Sequence, residues 1–356
     1  MIMTRLLKNT HLPKSPFHPP LQRGNLSVIA SDRRERGNLL YFKFVTRLLR
    51  SFHFLAMALR YGLRGKEGDF VNIRFYLCLC KVKISFFASL SAAAGLLLMG
   101  QPLVAVFLAL FIGVFLMACG ACALNHYQER STDAMMARTA GRPIPAGRIK
   151  PGRALCFAVS LICSGYIALL STGSLAVSLL GLAAILWYNG FYTWLKNRTP
   201  FAAIPGALVG AIPPAIGWIA GGGSLLDPRL AAVSFFFFMW QVPHFFIHML
   251  AFGKEYEDAG LPSLTEVFTG AQLERLTFQW ILAAAVSLQL VILFGLIQSP
   301  LVYISLIAVS LWLVVKGINF LSGREPGYTS LFKITNYFML IVMLLIFVDK
   351  LPRFVF

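Results

Sequence analysis

Long apolar stretches alternate with short polar connections from about residue 83 to residue 349. Each stretch has about 18–23 residues, which as an α-helix is enough to cross roughly 30 Å of hydrocarbon. The pattern predicts spans near residues 83–100, 102–124, 154–171, 174–194, 200–221, 231–251, 276–297, 299–321 and 329–349. We therefore predict an all-α, polytopic membrane protein with nine transmembrane helices.

The composition supports this class. Hydrophobic residues make up 58% of the chain, charged residues 13%, and the mean hydropathy is +0.72, whereas soluble domains are much more polar. The net charge is +18, and more than half of it comes from residues 1–75, which hold 14 Lys and Arg against 4 Asp and Glu. The remaining excess is typical of membrane proteins, so we expect no nucleic-acid partner.

Residues 1–75 form a basic N-terminal extension without a sustained apolar period. We expect roughly the first 40 residues to be disordered, because they are polar and rich in Pro, Gly and Arg. Residues 39–64 are basic and amphipathic, which is typical of an interfacial helix. The extension also fits a mitochondrial-type transit peptide; we favour translation from a start upstream of the natural one. Residues 76–356 then form the transmembrane domain.

Positive charges alternate between successive connections. Lysines and arginines follow the second, fourth, sixth and eighth spans, whereas the connections after the odd-numbered spans up to the seventh hold only Arg229. Because short loops rich in Lys and Arg stay in the cytoplasm, we place the even-numbered connections and the N-terminus there, and the C-terminus on the opposite side. The predicted location is the bacterial cytoplasmic (inner) membrane, or the mitochondrial inner membrane if the source is eukaryotic.

The most polar segment of the hydrophobic body follows the second span. Asn125, Glu129 and Asp133 are spaced i, i+4 and i+8, so a continuing helix carries them on one face. Their oxygen atoms suit Mg²⁺, and the guanidinium groups of Arg138 and Arg142 suit phosphate oxygens. The pattern predicts a site for a metal-bound diphosphate; the alternative is a solvated, positive loop that only sets topology.

A second acidic stretch follows the sixth span and is predicted to lie on the same side of the membrane. Glu255 and Asp258 are spaced i, i+3 in this stretch, which we place in a loop at residues 252–264. Carboxylates from two helix ends can therefore face one another across the site. Lys196 and Arg198, after the fourth span, lie on that side too and are candidates to neutralise a departing diphosphate.

Polar residues inside the spans indicate a second binding region. Trp240, Gln241 and His244 lie in the sixth span, and a histidine in a membrane helix usually faces the protein interior or a water-filled site. Asn189 and Tyr192, near the cytoplasmic edge of the fourth span, are further candidates for substrate contact. The alternatives are a hydrogen-bonded core histidine and an ordinary aromatic belt.

Further predictions concern packing. Pro205, Pro213 and Pro214 in the fifth span predict a broken or kinked helix, and the Gly206–Gly210 pair predicts close contact between helices. None of the six cysteines has a histidine partner at zinc spacing, so we interpret all six as small, buried apolar residues.

Together these residues resemble the UbiA-type intramembrane prenyltransferases, and within them the protoheme IX farnesyltransferases (heme O synthases). The resemblance covers roughly residues 75–350. It is carried by YLCLCKVKISFF, NHYQERSTDAMMARTAGRPIPAGRI, GALVGAIPPAIGW, WQVPHFF and EYEDAGLP. The WQ-x-PHF and PP-x-x-GW elements separate the heme-modifying branch from the quinone branch.

The resemblance implies a central cavity among nine helices, with two acidic motifs that hold Mg²⁺ and diphosphate. It implies that farnesyl passes from farnesyl diphosphate to a vinyl group of heme B, with addition of water, to give heme O for a terminal oxidase.

The expected catalytic residues and metal ligands are Asn125, Glu129, Asp133 and Glu255, with Asp258 as a further ligand. The expected diphosphate-binding residues are Arg138, Arg142, Lys196 and Arg198. The expected heme- or substrate-binding residues are Asn189, Tyr192, Trp240, Gln241 and His244. Besides membrane lipid, the expected partner is heme A synthase or the terminal oxidase assembly.

The chain departs from the family pattern at two acidic positions. The family's first motif resembles N-x-x-x-D-x-x-x-D, and Glu129 takes the place of its middle Asp. The second motif begins with Asp before Tyr, and Glu255 stands there instead. Glutamate also ligates Mg²⁺, but its extra methylene displaces the carboxylate by about 1 Å or more, and Mg²⁺ demands near-ideal geometry.

Three other functions remain open from the sequence. One is prenyl transfer to an aromatic quinone precursor, which heme binding would distinguish. Another is a non-catalytic heme-handling membrane protein. The third is a secondary transporter, which needs inverted repeats and coupling-ion residues near the membrane midplane; here the carboxylates are predicted at the helix ends.

Overall fold

The computed structural model describes residues 73–100, 103–324 and 327–350, and every regular element in this part of the chain is a helix. A π-helical segment (Leu186–Tyr192) joins α7 to α8, and a 3₁₀ turn (Pro200–Ala202) precedes α9. The α-helices are α1 (Ile73–Cys80), α2 (Val82–Met99), α3 (Val104–Gln128), α4 (Arg130–Met135), α5 (Ala137–Ala140), α6 (Pro151–Leu170), α7 (Leu175–Ile185), α8 (Thr193–Lys196), α9 (Ala203–Ala220), α10 (Pro228–Asp258), α11 (Leu264–Val267), α12 (Gly270–Leu293), α13 (Pro300–Leu321) and α14 (Gly327–Lys350).

Nine helical segments in the described ranges are long and apolar enough to cross a membrane. They coincide with the nine predicted spans, so the predicted fold class is confirmed. The fourth is composite and runs from Leu175 to Lys196 through the π-helical segment. The predictions for the N-terminal extension fall, up to residue 72, outside the described residues.

Local sequence signals set several helix starts. Proline at the first helical position, where no backbone N–H is needed, begins α6, α10 and α13. Asp227 caps α10 by accepting a hydrogen bond from the Arg229 N–H at 2.9 Å. Thr269 and Gln272 form a reciprocal capping box at the start of α12. In these caps, side-chain oxygens accept hydrogen bonds from backbone N–H groups that have no partner within the helix.

The sixth span is longer than predicted. Helix α10 continues through Glu255 and Glu257 to Asp258, so the second acidic stretch begins within a helix and the prediction of a loop at residues 252–264 is wrong at its start. The apolar pattern ends near residue 251, but a helix can continue beyond the hydrocarbon once its polar side chains reach the membrane surface. The carboxylates are therefore fixed by the helix itself.

The closest helix approach lies between α2 and α9. A Cβ atom added to Gly95 would meet the Pro214 carbonyl, and one added to Gly217 would meet the Ala92 carbonyl. The predicted pair behaves differently, because Gly206 faces the Tyr192 ring and Gly210 faces the Gln241 side chain. A Cβ atom at either of these two positions would also be too close to its neighbour, so the predicted close contact is present, but it is made with side chains and not with a helix backbone.

The prolines of the fifth span do not break it. Helix α9 runs without interruption from Ala203 to Ala220, with Pro213 and Pro214 inside it. Pro213 lines the cavity described below. A helix that faces a cavity tolerates a proline, although proline has no backbone N–H to donate to the preceding turn. The fifth span is therefore not broken, and the kink that the prolines equally predict stays a prediction.

The cysteines divide into two groups. Cys80, Cys119 and Cys122 are buried as predicted, but Cys78, Cys156 and Cys163 are exposed, and Cys78 lines the cavity described below. A small apolar side chain on a membrane helix is stable against lipid as well as in a core, so hydrophobicity alone does not tell the two positions apart.

A cavity of about 860 Å³ lies within the bundle. Its walls come from α1, α2, α3, α7, α9, α10 and α14, together with the π-helical segment and the polar turns after α3. Behind one wall is an aromatic core that contains Trp218, Phe236 and Phe338, all buried. The central cavity that the resemblance implies is thus present.

Candidate active site

The first acidic motif forms one polar wall of the cavity. Asn125, Glu129 and Asp133 all line it and are buried, with 3%, 7% and 1% of their surface exposed. Helix α3 ends before Glu129, yet the Glu129 N–H donates to the Asn125 carbonyl at 2.9 Å and the Asp133 N–H to the Glu129 carbonyl at 2.8 Å. The i, i+4 geometry therefore persists across the helix end, and all three side chains reach the same space.

Two basic residues neutralise this motif directly. Lys196 Nζ donates to Glu129 Oε1 at 3.0 Å. Arg142 Nη1 lies 2.8 Å from Asp133 Oδ1 and 2.7 Å from Oδ2. Arg142 follows the second span and Lys196 ends the fourth, so both basic residues lie at the membrane side that the charge pattern predicts for them. Because both carboxylates are buried, water screens these ion pairs only weakly.

A third pair joins the two acidic motifs. Arg138 Nε lies 3.7 Å from Glu255 Oε2, and the Arg138 guanidinium also covers the Phe252 ring at 4.8 Å. Glu255 projects from the end of α10, and Arg138 from α5, beyond α3. The two predicted carboxylate groups are thus connected through Arg138, which lines the cavity, whereas Glu255 itself is not part of the lining.

The negative charge of Glu129 is stabilised by neighbouring groups. Burial acts to raise the pKa of this carboxyl, but the Lys196 ammonium, through its charge and its hydrogen bond, holds the pKa below its usual value; Lys81 and Asn125 act in the same direction. Glu129 is therefore an anion at neutral pH despite its burial, as a metal ligand must be.

The π-helical segment shapes the adjacent wall. Single π-helical turns often occur at functional sites because they re-aim side chains. Asn189 Nδ2 donates to the Ala121 carbonyl at 3.0 Å and to Gln128 Oε1 at 3.1 Å, which ties the segment to α3. Tyr192 lines the cavity, packed against Gly206.

A less polar region of the cavity contains the residues predicted from the sixth span. Trp240, Gln241 and His244 all line it. Trp240 Nε1 donates to the Thr335 carbonyl at 2.9 Å and so connects α10 to α14. The His244 ring lies 4.5 Å from the Phe332 ring, and its buried Nδ1 has no hydrogen-bond partner in the described part of the chain.

Four predicted site residues are not part of the cavity lining. Glu255 is one of them, although its ion-pair partner is a lining residue. The Arg198 guanidinium covers Trp194 at 4.3 Å, since the chain turns outward after α8. Asp258, the last residue of α10, is exposed and does not line the cavity. Asn189 is buried in contacts with α3 and is not part of the lining; its role in the structure is to hold the π-helical segment.

Other residues of the site were missed by sequence reasoning. Lys81, His126 and Tyr256 line the cavity, and both ring nitrogens of His126 are buried without a hydrogen-bond partner in the described ranges. Lys196 Nζ lies 5.4 Å from the centre of the Tyr256 ring. Lys81 lies inside the YLCLCKVKISFF stretch, where a lysine directly before an apolar span was an available signal.

The polar end offers the donor atoms that a hard divalent cation requires. Glu129 and Asp133 supply carboxylates, Asn125 supplies an amide oxygen, and Glu255 Oε2 is buried without a hydrogen-bond partner among the described residues. No group of three or more His, Cys, Asp or Glu side chains lies close enough to form a metal cluster in these ranges, since basic partners hold the acids. By donor chemistry these residues fit a magnesium ion.

Comparisons with known proteins show the family and the fold of the chain. The sequence matches the profile of the UbiA prenyltransferase family over residues 85–342. A protoheme IX farnesyltransferase of Nitratidesulfovibrio vulgaris (strain DP4) is 38% identical over 187 residues, which are 52% of this chain and 65% of that protein. The match thus spans less than two thirds of that relative. One of Trichodesmium erythraeum is 31% identical over 309 residues, covering 84% of this chain and 92% of that protein.

Solved structures share the fold. A UbiA homolog from Aeropyrum pernix K1 gives a TM-score of 0.62 at 18% identity, covering 76% of this chain and 98% of that one. A UbiA homolog from Archaeoglobus fulgidus bound to GPP and Mg²⁺ gives a TM-score of 0.58 at 11% identity, covering 78% and 99%. The predicted helical fold is confirmed by this likeness.

Proposed function

We infer that this chain, which belongs to the UbiA prenyltransferase family, transfers the farnesyl group of farnesyl diphosphate to a vinyl group of heme B. The observation that carries the proposal is the division of one cavity into two regions. One end holds the carboxylates and cations of Glu129, Asp133 and Lys196, and the rest is mainly apolar and aromatic around His244. The names of the two relatives support heme as the acceptor.

The polar end suits the diphosphate of the donor. Asn125, Glu129, Asp133 and Glu255 are the residues that would hold Mg²⁺, which supplies charge neutralisation for the leaving diphosphate when it is bound. Lys196, Arg138 and Arg142 now pair with these carboxylates, and they are close enough to turn toward phosphate oxygens. Stabilising the diphosphate in this way favours cleavage of the C1–O bond, with the bonding electrons leaving on oxygen.

The apolar region suits the farnesyl chain and the acceptor. A vinyl group of heme attacks the allylic cation, a C–C bond forms, and water then adds to the resulting benzylic-type cation with loss of a proton. The product carries a hydroxyethylfarnesyl side chain. Aromatic residues such as Tyr192 and Trp240 exclude water from the allylic cation until the acceptor has reacted. His244, whose Nδ1 has no hydrogen-bond partner in the described part of the chain, would orient the heme.

The chain is an integral, multi-pass membrane protein. We place its acidic end on the cytoplasmic side of a bacterial inner membrane, because the Lys- and Arg-rich connections all lie at that end. Contact with heme A synthase or a terminal oxidase assembly remains a proposal that follows from the product.

The direct test uses purified protein with heme B, farnesyl diphosphate and Mg²⁺. We expect extracted heme to gain the mass of a farnesyl group plus a hydroxyl group, and chelation of the metal to abolish the gain. Heme whose vinyl groups have been reduced to ethyl groups is the matched control and should stay unmodified. Prenylation of an aromatic quinone precursor without any change to heme would contradict the proposed acceptor.

A second test concerns His244. Replacing it by Phe keeps a planar ring in the contact with Phe332 but removes the unpaired nitrogen. We expect heme B to bind about tenfold more weakly in an absorbance titration, because one polar contact to the acceptor is lost. Binding of Mg²⁺–pyrophosphate should be unchanged. Equal heme affinity in both proteins would remove His244 from the acceptor site.

A further inference from the structure

Lys81 has an unusual backbone conformation. It separates α1 from α2, with φ 43° and ψ 53°, and it is the only non-glycine residue with positive φ in the described ranges. The left-handed region is sterically unfavourable for residues with a Cβ atom. Such conformations persist where the surroundings enforce them, and they cluster at functional sites. Glycine would fit this backbone with less strain, so the lysine side chain itself needs an explanation.

The turn at Lys81 is firmly supported. The Lys81 carbonyl accepts hydrogen bonds from the Ile84 N–H at 2.8 Å and the Ser85 N–H at 3.2 Å. The buried Ser85 hydroxyl donates to the Cys80 carbonyl at 2.8 Å, which satisfies an acceptor that the helix break would leave unpaired. The break is therefore a defined structure, and it delivers the Lys81 side chain to the cavity.

The Lys81 ammonium lies at the polar end of the cavity. Its Nζ donates to Asn125 Oδ1 at 3.3 Å, one helical turn from Glu129. Lys196, Arg142 and Arg138 at this end each pair with a carboxylate, whereas Lys81 has no carboxylate within 4 Å among the described residues. Four cations thus meet the three carboxylates of Glu129, Asp133 and Glu255, which leaves one positive charge over.

We propose that Lys81 is a diphosphate-binding residue of this site. The inference rests on the proposed function insofar as the donor is a prenyl diphosphate. An ammonium without a carboxylate partner binds a phosphate oxygen without first breaking an ion pair, unlike the other three cations. Its contact with Asn125 places it beside the metal-binding residues, which favours the diphosphate over a carboxylate of the heme.

The experiment measures binding of Mg²⁺–pyrophosphate by calorimetry in Lys81→Gly, Lys81→Met, Lys81→Arg and Lys83→Met. Lys83, two residues on, is exposed and serves as the matched control. We expect the Gly and Met variants to bind about tenfold to a hundredfold more weakly, because a charge-assisted contact is lost. The Arg variant should recover part of the affinity and Lys83→Met should match the unchanged protein. The melting temperature of Lys81→Gly should stay the same or rise, since the backbone strain is relieved.

The outcomes separate this proposal from others. Unchanged pyrophosphate affinity in both the Gly and Met variants would overturn it, as would a loss of heme affinity alone, which would assign Lys81 to a heme carboxylate. If the unchanged protein does not bind Mg²⁺–pyrophosphate, the proposal fails as well. If pyrophosphate binding behaves as expected but heme B gains no farnesyl group, the role of Lys81 stands and the proposed acceptor is wrong.

Discussion

Replacing Asp133 by Asn should lower the rate of farnesyl transfer by about a hundredfold to a thousandfold, comparable to losing a group that stabilises transition-state charge. The side chain keeps its shape but loses the anion that Arg142 now neutralises at 2.7 Å and 2.8 Å. Asp133 has 1% of its surface exposed, so water cannot compensate. The amide also replaces a carboxylate ligand of the expected magnesium site. Turnover of heme B, measured by mass spectrometry of extracted heme, checks the effect.

A second Asp–Arg pair supplies the control. Asp227 contacts Arg229 at 2.7 Å, but it lies at the start of α10, at the opposite end of the helix that carries Glu255. Asp227→Asn should therefore leave turnover unchanged. If Asp133→Asn also turned over normally while its melting temperature matched the control, the metal–diphosphate site would lie elsewhere in the cavity.

The spans were predictable because lipid imposes a simple demand. A helix must present about 20 apolar residues to cross the bilayer, and in the described ranges nine helical segments satisfy that requirement. The ends were less predictable, as α10 shows. Its last turn is polar and continues to Asp258, and a polar turn beyond the hydrocarbon carries no hydropathy signal.

The candidate site was predictable where helical spacing determines direction. Asn125, Glu129 and Asp133 share a face because one turn separates each from the next, and the structure keeps that geometry even across the end of α3. Lys81 could not be found this way, since its direction depends on one left-handed residue. Arg198 was misplaced because charge gives the side of the membrane but not the direction in which a side chain points.

Helix contacts through glycine were the hardest to foresee. A small-xxx-small pattern marks residues that permit close approach, but which glycine meets a neighbouring backbone depends on the rotation of both helices. In α9 that residue is Gly217, which faces Ala92 of α2. Because α2 and α9 both line the cavity, their separation sets its width.

Gly217→Ala should therefore destabilise the protein by about 3 kcal/mol or more, at the upper end of the cost of overpacking a core. The added Cβ would meet the Ala92 carbonyl, and a helix backbone cannot move aside as a flexible side chain can. Separation of α2 from α9 would also widen the cavity, so farnesyl transfer should fall in the fraction that remains folded. The melting temperature in detergent and turnover per folded molecule measure the two effects.

Gly152→Ala is the matched control, because it lies in the first turn of α6 and a Cβ atom there would meet no other heavy atom within 4 Å. Alanine favours a helix more than glycine does, so this variant should melt at the same temperature or slightly higher. A melting temperature for Gly217→Ala equal to that of Gly152→Ala would mean that α2 and α9 lie farther apart than described. Helices other than α2 and α9 would then set the width of the cavity. The contact between Gly217 and Ala92 would no longer explain how the diphosphate and heme regions keep their positions.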